Sequence, residues 1–236
     1  MTGINVACFD LFNTLVSVGQ VPETVGRFTA DILGLERQRW NEACFGPAHE
    51  ICQPTDPLET LTRLAHSLDP GIPHSLIKHA AKERQQRFDY ALINVSSPVL
   101  HALTLLREKG IRLALISNAS SSEVAAWSAS PLAELFEVAT FSCYSACRKP
   151  DAEIYTTTAG QLGVRPEDCL FVGDGGSDEH HGAHRVGMKP VLVTHFLGES
   201  EQQEKLKKYA GVLVGVVQDF YDLHVQWGEL TATGTN

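Results

Sequence analysis

Three short apolar segments of the chain each stop at polar residues, and this feature restricts the possible folds more than any other. The segments cover residues 4–9, 111–116 and 169–172. They are followed by Asp10, by Ser117 and by Gly173-Asp174. Apolar runs of this length are typical of buried strands. From residue 97 onwards they alternate with helical patterns, one of them around residues 122–130. This alternation predicts an α/β fold with a doubly wound parallel sheet.

The region between the first strand and Ser97 has a different character. Residues 21–93 read as helices and turns, and Asp56-Pro57-Leu58-Glu59 has the form of a helix start with a capping box. Such a segment is too long for a loop between two elements of one domain. We therefore predict a core formed by residues 1–16 and 97–236, with an all-helical domain inserted at residues 17–96.

Composition restricts the possible partners. The 236 residues carry 19 Lys and Arg against 28 Asp and Glu, a formal net charge of −9, and no stretch is strongly basic. A nucleic-acid partner is therefore not expected, and an anionic substrate would need local positive charge. No apolar run is long enough to cross a membrane, and the six cysteines do not form paired metal-ligand spacings. We expect a cytoplasmic protein that acts on a small molecule and has no membrane partner.

Four polar side chains are predicted to meet at one edge of the sheet. The carboxyl ends of parallel strands converge there, which brings together Asp10, Ser117 and Asp174, and Lys149 precedes the next helix at Pro150. Each residue alone also has an ordinary interpretation as a helix cap, a tight turn or a solvated charge. Their common location, however, indicates a functional site.

Phosphoryl transfer is the chemistry that this set of residues supports. A carboxylate such as Asp10 can attack phosphorus and form an aspartyl-phosphate. Lys149 can neutralise charge on the phosphoryl oxygens, and Ser117 can donate a hydrogen bond to one of them. Asp174 and Asp178, on a glycine-rich turn, are oxygen ligands of the kind that Mg²⁺ prefers. Clustered acids without a cation would repel one another strongly.

The order of these segments resembles that of the haloacid dehalogenase (HAD) superfamily along essentially the whole chain. The matching motifs are Asp10-Leu11-Phe12-Asn13-Thr14-Leu15, Ile116-Ser117-Asn118, Lys149-Pro150-Asp151 and Val172-Gly173-Asp174-Gly175-Gly176-Ser177-Asp178. The resemblance implies a Rossmann-like core, a helical cap at the position of the insert, Asp10 as nucleophile, and Mg²⁺ as cofactor. It also implies metal ligands and residues that orient substrate. The implied metal ligands are Asp10, the Phe12 carbonyl, Asp174 and Asp178. Those implied to orient the anion and its nucleophile are Thr14, Ser117, Asn118 and Lys149.

Phe12 departs from the pattern of the family's phosphatases, which usually carry an aspartate there to protonate the leaving oxygen. An aromatic residue at that position also resembles the branch of the family that cleaves carbon–halogen bonds. Asp174 argues against that branch, because an unneutralised carboxylate would repel a haloacid. The sequence thus predicts a Mg²⁺-dependent phosphatase acting on a small phosphorylated metabolite. The alternatives are a 2-haloacid dehalogenase with the same nucleophile and a catalytically impaired binding protein.

Overall fold

The computed structural model describes residues 4–232. The strands are β1 (Val6–Phe9), β2 (Arg112–Ser117), β3 (Val138–Phe141), β4 (Cys169–Gly173), β5 (Lys189–Val193) and β6 (Gly215–Val217). The helices are α1 (Thr29–Leu33), α2 (Arg37–Cys44), α3 (Pro57–Leu68), α4 (His74–Ile93), α5 (Ser97–Glu108), α6 (Ser142–Ser145), α7 (Ala152–Leu162), α8 (Glu179–Arg185), α9 (Glu199–Tyr209) and α10 (Leu223–Ala232).

The six strands form one parallel sheet in the order β3-β2-β1-β4-β5-β6. The chain moves outward from β1 in one direction and then returns to continue on the other side at β4. In open α/β sheets, ligands bind at the carboxyl ends of the strands where the order reverses in this way. Phe9 at the end of β1 pairs with Leu115 and with Val172, so the residues that follow these strands are brought to one edge. The predicted parallel α/β fold is confirmed.

Helices cover both faces of the sheet because successive side chains of a strand point to opposite faces. In β1, Ala7 and Phe9 join the hydrophobic cluster on one face, and Val6 and Cys8 join the cluster on the other. Helix α5 contributes to the first cluster and α7 to the second. A strand that is buried on both faces is consistent with the continuous apolar run seen in the sequence.

The segment between β1 and α5 contains helices and no strand among its described residues. A third hydrophobic cluster belongs to this segment, with buried residues between Ala30 and Ala80 that include the fully buried Trp40. A separate cluster supports the predicted division into a core and an inserted domain. The boundaries at residues 16 and 97 remain a prediction, and the outermost core residues, 1–3 and 233–236, lie outside the described part of the chain.

Residues 122–130 differ from the sequence-based expectation of a helix. They form successive turns with a short 3₁₀-helix at Trp127–Ala129. The Ser122 carbonyl accepts hydrogen bonds from the Ala125 N–H at 3.3 Å and from the Gln85 side chain of α4 at 2.8 Å. The i to i+3 pattern and the contact from α4 explain why a regular α-helix does not form here. Within residues 4–232, no helix has the length and apolar character that crossing a membrane requires.

Candidate active site

Asp10 lies directly after β1 at the point where the strand order reverses. Its N–H donates to the Val172 carbonyl at 2.9 Å, which continues the β1–β4 pairing by one residue and fixes the backbone of Asp10. The side chain is buried, and its Oδ2 accepts a hydrogen bond from Thr14 Oγ1 at 2.9 Å. The structure therefore brings Thr14 to the carboxylate that the sequence predicts to be the nucleophile.

Lys149 contacts the same carboxylate from the loop before α7. Its Nζ donates to Asp10 Oδ1 and, at 2.6 Å, to Glu179 Oε2. Burial opposes the charge of this lysine, but the two carboxylates raise its pKa above the ordinary value, so it stays charged. Asn118 holds the backbone of Lys149 through two hydrogen bonds, one to its carbonyl at 2.9 Å and one from its N–H at 2.8 Å. In this structure Asn118 thus positions the lysine.

Three buried carboxylates form an acidic cluster at this edge of the sheet. Asp10, Asp174 and Glu179 each place an oxygen within 4.8 Å of the others. Burial, with the charge of Asp10, raises the pKa of Asp174 to about 6. Burial also raises the pKa of Glu179 to about 8, although Lys149 opposes the shift. Asp174 and Glu179 therefore keep their protons to a higher pH than exposed carboxylic acids do.

Glu179 was missed by the sequence-based reasoning, which chose the neighbouring Asp178. The Asp178 side chain lies away from the cluster, where it pairs with His181 at 2.8 Å and with Lys208 at 3.1 Å. Asp178 has φ 53° and ends a left-handed turn, so the first residue of α8 is the one that points to Asp10. The helical spacing of the sequence could have indicated Glu179, because it shares a helix face with the buried Ala183. The structure thus places Glu179, and not Asp178, beside Asp10 and Asp174, and Asp178 as a metal ligand remains a prediction.

Two further predicted site residues have different surroundings. Ser117 ends β2, and its buried Oγ has no hydrogen-bond partner among the described residues. An orphaned buried hydroxyl is costly, so this atom is available to a ligand oxygen. The Phe12 ring packs edge-on against Phe88 of α4, with centroids 5.3 Å apart. Its carbonyl as a metal ligand remains a prediction.

The acidic cluster fits a hard divalent cation. Among the described residues, Lys149 is the ammonium group that bonds to these carboxylates, the charge of Lys205 also acts on Asp174, and carboxylate oxygens are the donors that Mg²⁺ prefers. Burial is the main cause of the raised pKa values of Asp174 and Glu179, and the neighbouring charge of Asp10 adds to both. A cation bound there would stabilise the ionised carboxylates and displace their protons.

Comparison with known proteins identifies the family. A family model described as haloacid dehalogenase-like hydrolase matches residues 4–183, which span β1 to α8 and include every residue of the acidic cluster. The chain belongs to the haloacid dehalogenase-like hydrolases. A second model of the same superfamily matches residues 146–223. The resemblance inferred from the four motifs is thereby confirmed, and the protein is a HAD-superfamily hydrolase.

Two curated relatives are glyceraldehyde 3-phosphate phosphatases. The one from Methanopyrus kandleri is 29% identical over 107 residues, 44% of this chain and 45% of that protein. The one from Methanothermobacter thermautotrophicus is 27% identical over 137 residues, 57% of this chain and 59% of that protein. The chain thus spans about half the length of the curated relatives that it matches.

Solved structures with the same fold include proteins of different named activities. The L-2-haloacid dehalogenase of Xanthobacter autotrophicus, with chloropropionic acid covalently bound, aligns with a TM-score of 0.69 at 19% identity over 95% of this chain and 98% of that one. A β-phosphoglucomutase from Clostridium difficile aligns with a TM-score of 0.63 at 17% identity over 97% and 98% of the two chains. These likenesses establish the fold, and the reaction has to be argued from the site.

Proposed function

We propose that this HAD-superfamily hydrolase is a Mg²⁺-dependent phosphatase that acts on a small phosphorylated metabolite through an aspartyl-phosphate at Asp10. The observation that carries the proposal is the buried cluster of Asp10, Asp174 and Glu179, with Lys149 bonded to two of its members. A nucleophilic carboxylate beside two further acids is suited to an anionic substrate only if a cation reduces the repulsion. Displacement of chloride needs no metal, so a dehalogenase would have no use for the additional acids, and an ionised Asp174 would repel the carboxylate of a haloacid.

Asp10, Asp174 and Glu179 would hold the metal, which supplies charge neutralisation when bound. An oxygen of Asp10 attacks phosphorus, the bond from phosphorus to the leaving oxygen breaks, and water then hydrolyses the aspartyl-phosphate to release phosphate. Thr14 holds the other carboxylate oxygen and so limits rotation of the nucleophile. Lys149 and the free hydroxyl of Ser117 supply positive charge and a hydrogen bond for the phosphoryl oxygens.

Phe12 restricts which substrates should react well. Its side chain cannot transfer a proton to the leaving oxygen, and loss of a general acid typically costs ~10²–10⁴-fold in rate. Substrates whose leaving group departs as a weak base should therefore react fastest. Alkyl phosphates should be slow unless another group supplies the proton.

The comparisons and the cysteines support the remaining parts of the proposal. Curated relatives named as glyceraldehyde 3-phosphate phosphatases favour a small anionic substrate over a macromolecule. All six cysteines are free thiols, as is usual in a reducing compartment, which supports a cytoplasmic location.

The test compares two substrates with and without metal. The purified protein is incubated with p-nitrophenyl phosphate or with 2-chloropropionate, in Mg²⁺ or in EDTA, and released phosphate and chloride are measured. Mg²⁺-dependent phosphate release that disappears in Asp10→Asn supports the proposal. Metal-independent chloride release would identify a dehalogenase. No turnover of either substrate by a folded protein would contradict the assignment of a phosphatase.

A further inference from the structure

Helix α9 contacts the acidic cluster through one backbone carbonyl. Tyr209 and Lys205 lie four residues apart on the same face of α9, and both donate to the Gly175 carbonyl. The distances are 2.9 Å from the Tyr209 hydroxyl and 2.7 Å from Lys205 Nζ. Tyr209 is fully buried, and its pKa, raised to about 12 chiefly by burial, keeps the hydroxyl protonated as a donor at neutral pH.

Gly175 is placed between two members of the cluster. Its own N–H donates to Glu179 Oε1 at 2.8 Å, and the next N–H, of Gly176, donates to Asp174 Oδ1 at 3.1 Å. The Gly175 carbonyl and the Gly176 N–H belong to one planar peptide unit and point in opposite directions. A donor that fixes the carbonyl therefore also fixes the direction of the bond to Asp174.

Close packing keeps this peptide in place. Gly175 has φ +83°, and a Cβ atom there would lie 2.8 Å from the Tyr209 ring and 3.1 Å from the Lys205 side chain. Only glycine allows α9 to approach so closely. The His180 ring packs perpendicular to the Tyr209 ring on the same side, with centroids 4.9 Å apart. The peptide has little room to rotate.

We propose that Tyr209 and Lys205 are positioning residues of the acidic cluster, which hold the 175–176 peptide so that its opposite side orients Asp174. A charge-assisted bond at the carbonyl also polarises the peptide and strengthens its N–H as a donor. For Mg²⁺ affinity the inference rests on the proposed function, whereas the effect on the peptide itself does not depend on a metal.

Tyr209→Phe is the decisive variant because it removes one hydroxyl and no charge. We expect faster amide hydrogen exchange in peptides covering residues 174–179 of the metal-free protein. We also expect an increase of about fivefold in the dissociation constant for Mg²⁺, measured by calorimetry, as for the loss of one net hydrogen bond. Tyr221→Phe is the matched control, since this tyrosine is 42% exposed and stacks on His101.

Lys205→Met is the second variant, and Lys207→Met on the exposed part of the same helix is its control. Lys205 both holds the carbonyl and carries a charge that opposes a bound cation, so its loss has two opposing effects on Mg²⁺ affinity. This variant is therefore judged by hydrogen exchange alone. It also replaces Tyr209→Phe if circular dichroism shows that the latter does not fold.

The outcomes separate the two proposals. Faster exchange of residues 174–179 in the Tyr209 and Lys205 variants, with both controls unchanged, supports the positioning role. Exchange that matches wild type in both variants overturns it. If wild type binds no Mg²⁺, the proposed function fails, and the exchange data still decide whether α9 holds the peptide. If wild type binds Mg²⁺ and Tyr209→Phe binds it equally tightly, the inferred effect on the cluster is wrong.

Discussion

A buried ion-pair cluster joins the helical insert to the loop after β2, and its contribution to stability follows from its surroundings. Glu123 is buried and accepts from the Ser120 N–H at 2.8 Å. Arg84 of α4 donates to its carboxylate, and His49 Nε2 lies 3.4 Å from it. Burial alone would raise the pKa of Glu123, but His49, Arg84 and the Ser120 N–H lower it from 4.5 to about 2.

Replacing this carboxylate by a neutral group should remove a stabilisation that depends on pH. Because the folded protein binds the Glu123 proton more weakly than the unfolded chain does, the stabilisation is present above the unfolded pKa and is lost as the pH falls toward 2. The difference in pKa corresponds to about 3 kcal/mol at pH 7, of which about 1 kcal/mol remains at pH 3. Since the carboxylate is enclosed by protein, solvent screening reduces this value little.

The assay is urea unfolding of wild type and Glu123→Gln at pH 7 and at pH 3, followed by circular dichroism. Glutamine keeps the shape of the side chain, so the difference in the free energy of unfolding between wild type and Glu123→Gln reports the effect of the charge. We expect that difference to be about 3 kcal/mol at pH 7 and about 2 kcal/mol smaller at pH 3. Glu137→Gln is the control, because its ion pair with Arg112 is half exposed and should contribute less than about 1 kcal/mol. If Glu123→Gln lowers the free energy of unfolding by the same amount at pH 7 and at pH 3, the reasoning is refuted.

Two predictions concern the candidate active site. Phe12→Asp should raise kcat for an alkyl phosphate relative to an aryl phosphate, by ~10²-fold or more if the new carboxyl reaches the leaving oxygen; an unchanged ratio would contradict the account of the missing acid. Glu179→Gln should weaken Mg²⁺ binding measured by calorimetry by more than the ~10–100-fold typical of residues that only support a ligand. Asp178→Asn, at the neighbouring residue, should change the Mg²⁺ affinity less than about tenfold. A larger effect for Asp178→Asn than for Glu179→Gln would favour Asp178 as the metal ligand, as the sequence suggested.

The sequence was sufficient to predict residues whose position is set by the sheet. Asp10 and Lys149 are 139 residues apart, yet both were predicted to lie at one edge, and the structure places them in contact. Parallel strands have their carboxyl ends on the same side, so a polar residue that directly follows an apolar run has little freedom of position. For Asp10 the prediction needed only the boundary of the run, whereas Lys149 was located from its position just before the helix predicted to start at Pro150.

The sequence was not sufficient where a turn separates the strand from the next helix. Asp178 and Glu179 are adjacent acids, and the left-handed conformation of Ser177 and Asp178 decides which of them points to Asp10. Non-glycine residues seldom adopt that conformation, so local propensity gives no reason to expect it. Contacts from other elements accompany it, including the pair of Asp178 with Lys208 of α9.

The same cause explains the unpredicted junction at Glu123. Residues 122–130 have a helical composition, but the Ser122 carbonyl accepts from Gln85, and the Glu123 carboxylate binds Arg84, 39 residues earlier. Both partners lie on α4 of the insert, so the conformation of this loop depends on how the insert packs against it. The loop follows Ser117 and Asn118 directly, and Asn118 holds the backbone of Lys149. The insert therefore packs on a loop that continues directly from Asn118, the residue that holds the lysine beside the nucleophile, and no local sequence pattern indicates this arrangement.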